Sequence, residues 1–167
     1  MVKRDYREID GTFDKIASIA MLTHVGPRNY RSFMQIMRRA LRPGGAMIVE
    51  CVGGNVTKSH CDPWVDRYIF PGGVIPSLGQ VGPAIEGIFV LEDLHNFGPD
   101  YARTLRAWNE NLHAGWPALS ARYPERVLRM FRYFFLSVAA TFAVRQLQQW
   151  QFVLTPTGAP PPPAMRS

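Results

Sequence analysis

The chain has only two cysteines, Cys51 and Cys61, and they form neither a Cys-x-x-Cys pair nor another metal-ligand spacing. A zinc clamp is thereby excluded, and reduced, cytosolic thiols are the default. Long hydrophobic runs are also missing. The most apolar stretch, YFFLSVAATFAV at 133–144, lies between Arg132 and Arg145 and falls far short of the ~20 residues needed to span a bilayer. A surface or core helix is expected there instead. The opening MVKRDYREIDG has no apolar segment after its basic residues, so no signal peptide is expected. No Walker A sequence, no Gly-x-Ser-x-Gly elbow and no convincing Ser/His/Asp order occurs.

What is present suits one globular domain. With 167 residues, 47% of them hydrophobic and 19% charged, the chain can bury a real core. A net charge of +6 favours an acidic partner such as a phospholipid head group or nucleic acid. The charges are scattered rather than blocked, so a solvated surface explains them equally well. No recognised nucleic-acid-binding pattern accompanies them, and a nucleic-acid partner is not expected.

FDKIASI at 13–19 predicts a strand. In RNYRSFMQIMRRAL at 28–41, Tyr30, Phe33, Met34, Met37 and Leu41 recur at spacings of three and four, which predicts an amphipathic helix. RPGG stops it, and AMIVECV at 46–52 reads as a strand covered on both faces. Strand, helix and strand make a βαβ unit with a parallel pair. Residues 53–87 are rich in Gly and Pro and read as one long loop, of the kind that forms lids or pocket walls. A strand at 88–98, helices at 100–116 and 124–146, and a strand at 147–156 complete the pattern. The closing residues, with four consecutive prolines, predict an extended, disordered tail.

In open α/β sheets, ligands bind beyond the carboxyl ends of the strands. That rule gathers Thr23, His24, Glu50, Asp93, His95 and Asn96 on one rim, with Tyr101 in the next helix. A lone histidine after a strand is more often a hydrogen-bonded structural residue than a catalyst. Glu50 among apolar neighbours is the sharper anomaly, since a buried carboxylate needs a polar pocket or a basic partner. The stripe Phe131, Phe134, Phe135 and Phe142 reads as core. Arg103, Arg106, Arg126, Arg129 and Arg132 suit phosphates or a solvated face.

Five stretches carry a family likeness: FDKIASIAMLTHVGPRNY, LRPGGAMIVECVGG, DPWVDRYIFPGGVIPSL, LEDLHNFGPDYARTLRAWNENL and LQQWQFVL. In this order and spacing, over residues 5–155, they resemble the C-terminal portion of the cyclopropane-fatty-acyl-phospholipid synthases, class I S-adenosylmethionine-dependent methyltransferases. The resemblance implies a partial Rossmann-like α/β sheet lacking its N-terminal strands, with helices on both faces. It implies transfer of a methylene from S-adenosylmethionine to the cis double bond of a phospholipid acyl chain. Bicarbonate takes the departing proton in such enzymes, held by a Glu, a His, a Tyr and a backbone amide near a Cys.

Carried over residue by residue, the family tyrosine is Tyr101. The family glutamate precedes a His-Val-Gly, where this chain has Thr23 beside a retained His24. The family histidine corresponds to Glu50, which as an anion would repel bicarbonate. Near the cofactor the resemblance leaves Tyr6, beside the adenine, and the backbone at Ile19 and Ala20. The Gly-rich turn of the fold is absent from these residues. The likeness therefore implies a chain inactive by itself. Its strand at 13–19 is an uncovered apolar edge, open to the missing N-terminal half or to a second copy. The alternative is a truncated, inactive relative acting at most as a lipid- or protein-binding module. The location implied is cytoplasmic, free or peripheral to the inner face of the membrane.

Overall fold

A computed structural model describes residues 3–160. Four strands form one mixed sheet: β1 (Phe13–Ile19), β2 (Leu41–Gly54), β3 (Phe89–Asn96) and β4 (Leu147–Pro156), in the order β1-β2-β4-β3. β1 and β2 are parallel, as the βαβ pattern requires, and β4 runs antiparallel to both of its neighbours. The carboxyl ends of β1, β2 and β3 thus share one rim.

Between β1 and β2 lie a short helix α1 (Leu22–Val25) and α2 (Tyr30–Ala40). The apolar stripe expected on α2 is buried in full: Tyr30, Phe33, Met34, Met37 and, just beyond the helix, Leu41. It packs with Met47, Val49 and Cys51 of β2 and with Trp150, Phe152 and Leu154 of β4. The opposite face of the sheet carries α5 (Gly98–Leu119) and α6 (Glu125–Ala143), whose Ala102, Leu105, Ala139 and Phe142 form a second core over Val52 and Leu147.

Two sequence expectations are corrected. RPGG is no free turn: Leu41–Gly54 is continuous strand, with Gly44 at φ 75° where the register with β1 shifts. The helix passes straight into the strand because Ala40 and Leu41 are both buried and hold the chain against the sheet. The 53–87 region is also not one loop. It holds α3 (Pro63–Tyr68) and α4 (Leu78–Ile85). Asp62 caps α3 by accepting from the amides of Trp64 and Val65, with Pro63 at the first helical position. Ser77 and Gln80 form a capping box on α4, which seats Val81, Ala84 and Ile85 in the first core. The Gly and Pro count concealed both helix starts.

Phe142 is core, but Phe131, Phe134 and Phe135 are only half-buried, their rings meeting one another, Phe70 and Trp108. β1 is an edge strand whose Phe13 and Ile19 stand open. The prolines beyond residue 160 lie outside the described residues, and Pro156 itself closes β4.

Gly53 lies directly under the Trp150 indole, where an added Cβ would overlap the ring. G53A should therefore cost about 2 kcal/mol or more in chemical denaturation, since the buried ring has nowhere to go. Burial also pushes the Cys51 thiol up from 9.0 to about 12 and the Tyr30 hydroxyl up from 10.0 to about 12. Both groups hold their protons more tightly when folded. The stability they contribute is complete below pH 9 and is lost as pH rises to about 12. Denaturation midpoints measured across that range should fall, and C51A should delay the onset toward pH 10.

Candidate functional site

The rim is built by strand register. Ile19 of β1 lies opposite Glu50 of β2, Glu50 opposite Gln151 of β4, and Gln151 opposite His95 of β3. Directly paired residues point to one face, so the four side chains form a row across the sheet. Val52, two residues along from Glu50, packs into the second core, which puts the row on the side of α5 and α6. The alternate residue Cys51 is fully buried on the other side.

Glu50 is held at the tip of β1. One carboxylate oxygen, Oε2, accepts from the Ala20 amide at 3.0 Å, and the Glu50 carbonyl shares that amide at 3.0 Å. Ala20 takes a positive φ of 55°, uncommon for a residue with a Cβ, and its carbonyl accepts from the Thr23 hydroxyl at 3.3 Å. Among the described residues the carboxylate is met by a backbone amide and by no basic partner. The Tyr101 hydroxyl is pushed up first by burial and then by the charge of Glu50. Tyr101 is accordingly a protonated donor at neutral pH.

His24 belongs to α1 and meets the Phe70 ring edge-on at 5.6 Å. The Thr23 carbonyl accepts from the Val74 amide at 2.8 Å, which seals the 66–74 segment against the rim as a wall. From Phe70 a run of ring contacts passes through Phe134, Phe135 and Trp108 to Tyr101, each between 5.7 and 5.9 Å. Thr23, His24, Glu50 and Tyr101 are thereby assembled along one aromatic-walled stretch of the rim. Phe70 and Gln151 went unassigned in the sequence; only the strand register and the segment's fold reveal them.

The remaining rim residues divide. Asn96 is structural, since its amide donates to Gln148 at 2.8 Å and its oxygen accepts from the Gly98 amide at 2.9 Å, fixing the start of α5. His95 stacks on Phe97 at 3.8 Å. Asp93 precedes them on β3. Among the described residues, no group of three His, Cys, Asp or Glu could hold a metal. A concavity of about 710 Å³ lies between α2 and the opposite ends of β3 and β4, away from this chemistry.

A family model described as mycolic acid cyclopropane synthetase matches residues 1–152. The chain belongs to that family. It is 42% identical over 152 residues to the cyclopropane-fatty-acyl-phospholipid synthase of Escherichia coli (strain K12), a match covering 91% of this chain and 40% of that protein. It is 33% identical over 150 residues to a probable fatty acid methyltransferase of Pseudomonas putida, covering 83% and 37%. The chain thus spans about two fifths of the relatives it matches. Among solved structures, the mycolic acid cyclopropane synthase CmaA1 complexed with SAH and CTAB superposes with a TM-score of 0.82 at 24% identity, covering 89% of this chain and 57% of that one. A coclaurine N-methyltransferase bound to SAH reaches 0.74 at 18% identity, covering 91% and 51%. The fold is that of the class I S-adenosylmethionine-dependent methyltransferases.

The cofactor residues carried over from the resemblance do not complete a site. Tyr6 packs edge-on against Phe33 at 5.3 Å, Ile19 is 61% exposed, and the Ala20 amide is already taken by Glu50. No Gly-x-Gly-x-x-Gly occurs in the sequence. These residues offer one wall and lack the phosphate-loop style turn and ribose carboxylate that the fold uses elsewhere.

Removing the Glu50 charge should lower the Tyr101 pKa while burial keeps it above the ordinary 10.0. Ultraviolet titration of E50Q, differenced against the same variant carrying Y101F, reads this directly.

Proposed function

We propose that this chain is the acyl-chain side of a lipid-modifying methyltransferase, acting on a cis double bond of phospholipid acyl chains. The observation that carries the reading is the aromatic-walled rim joining His24 to Tyr101 with Glu50 between the strands. A carbocation formed on an acyl chain needs apolar surroundings, ring faces that tolerate positive charge, and a nearby proton acceptor. The rim supplies all three kinds of group. S-adenosylmethionine provides the electrophilic methyl in such chemistry, and most of its site must come from residues other than these. The open β1 edge is where such a portion, in the same chain or another, would extend the sheet.

Within this reading Tyr101 donates a hydrogen bond from a hydroxyl whose proton burial holds more tightly, and Thr23 offers a second hydroxyl. Together they suit bicarbonate as the borrowed base. Glu50 opposes it, because two anions a few Å apart repel by an energy on the order of kcal/mol even at high effective dielectric. The rim as it stands is therefore tuned against bicarbonate.

That conflict, with the incomplete cofactor wall, favours a second reading: an inactive relative that binds lipid or protein. Calorimetric titration with S-adenosylmethionine separates the two at the first step. Micromolar binding supports the enzyme, and no binding by the folded chain supports the remnant. The decisive test grafts residues 1–152 into the Escherichia coli relative and measures transfer of labelled methyl to unsaturated phospholipid vesicles. T23E combined with E50H should raise the rate on the order of 10²-fold over the unaltered graft. A folded graft with both changes that transfers no methyl would sink the catalytic reading.

A further inference from the structure

Among the described residues two buried side-chain atoms have no hydrogen-bond partner, Ser18 Oγ and Gln149 Oε1. Such groups are rare in folded proteins, and each calls for an explanation. Ser18 pairs with Val49 and so faces the first core, away from the rim. Gln149 lies on the rim's side of the sheet. It pairs with Val52, and both Val52 and Leu147, two residues back along β4, pack into the second core with Tyr101 and Phe135. Its carbonyl accepts from the Phe97 amide at 2.7 Å, and the Phe97 carbonyl accepts from the Tyr101 amide at 2.9 Å, which sets the start of α5 beside it. Gln149 is 4% exposed, so bulk water does not serve its amide.

A second acceptor stands next to it. Glu50, paired with Gln151, is the diagonal neighbour of Gln149 on the same face, within the reach of long side chains. Its carboxylate is held through Oε2 by the Ala20 amide, and no ion pair reaches it among the described residues. His95 lies two strands away in the same row, beyond Gln151. Rings border the two acceptors: Tyr101 meets Phe142 at 5.1 Å and Trp108 at 5.9 Å, and Trp108 meets Phe135 at 5.9 Å. Glu50 and Tyr101 are half-buried and Trp108 is 43% exposed, which leaves the rim open to solvent on the side of α5. A carboxylate, an amide oxygen and aromatic rings with no cation among them complement positive charge carried by N–H donors.

We propose that this rim binds a protonated primary amine with an apolar body, Glu50 and Gln149 accepting from the ammonium and the Tyr101 and Trp108 rings covering it. A primary ammonium carries enough N–H donors to meet both oxygens at once, as a lysine head group does. A neutral alcohol offers one donor and no charge. A quaternary ammonium keeps the charge, but without an N–H it would leave Gln149 unsatisfied. A metal ion is a poorer occupant, because no three ligating side chains come together among the described residues. The ligand also gives Gln149 a reason to be polar where Val52 and Leu147 are apolar: its cost to the free fold is offset when the ammonium binds. This binding shares the rim with the methyl-transfer reading but needs neither cofactor nor lipid.

The test is calorimetric titration of the full 167-residue chain at neutral pH with hexylammonium, hexanol and hexyltrimethylammonium. Hexylammonium should bind about tenfold or more tighter than hexanol, and about threefold or more tighter than the trimethyl cation. E50Q keeps an oxygen for the Ala20 amide and should weaken hexylammonium by about tenfold or more. Q149L should weaken it by about threefold or more and yet raise the denaturation midpoint of the unliganded chain, because it deletes an unsatisfied group. A purely structural glutamine would not show those opposite effects. No binding by the folded chain, hexanol or the trimethyl cation binding as tightly as hexylammonium, or an affinity that either variant leaves unchanged overturns the proposal. A Q149L chain less stable than the original assigns the amide to a buried water or an internal partner and overturns it as well. Methyl transfer by the graft, or its absence, bears on the catalytic reading alone.

Discussion

The rim depends on the register of β2. Met47, Val49 and Cys51 must all face the core beneath α2, and the two-residue period of a strand then forces Ile48, Glu50 and Val52 to the other side. A slip of one residue would drive the Glu50 carboxylate into the apolar core and lift Cys51 onto the rim. The parallel pairing with β1 fixes Ile19 and Ala20 at the Glu50 level, and antiparallel pairing with β4 fixes Gln151 there. Gly53 lets Trp150 lie flat against β2 at the edge of the same segment. The site is therefore a consequence of core packing on the opposite face.

Electrostatics sharpen what register places. Glu50 is anchored by a backbone amide instead of a cation, so its charge stays local and acts on Tyr101 across the rim. Ala20 adopts a costly backbone angle to present that amide, which is the sort of strain the surrounding structure must hold. Thr23 fastens the other side of the same residue. The three positions form one unit, and altering any of them alone disturbs the other two.

The segment between β2 and β3 links the candidate site to the exposed rings of α6. Its Val74 bonds back to Thr23, its Phe70 bridges His24 and α6, and its Trp64 stacks on Tyr133. A stretch rich in Gly and Pro thus serves as the rim's wall and as half of an exposed aromatic face. Its helices exist because Asp62 and Ser77 satisfy the first amides of α3 and α4, not because the intervening residues favour helix.

The strands, the amphipathic α2 and the parallel βαβ unit were legible in the sequence, because apolar spacing of two or of three and four reports directly on which side of an element is buried. The rim residues Thr23, His24, Glu50 and Tyr101 were legible too, from strand ends and from the family likeness. Hidden were α3 and α4, whose start signals sit among Gly and Pro, and the partial exposure of Phe131, Phe134 and Phe135, whose spacing looks like core. Spacing shows that a face is apolar but not what lies opposite it. The sequence by itself determined the sheet's strands, their alternation and the chemical groups at its rim. Only tertiary structure decided that Glu50 bonds to Ala20 without a cation, that Gln151 and Phe70 join the site, and that the α3–α6 rings face water. Those outcomes turn on contacts between residues far apart in the chain, which no local pattern encodes.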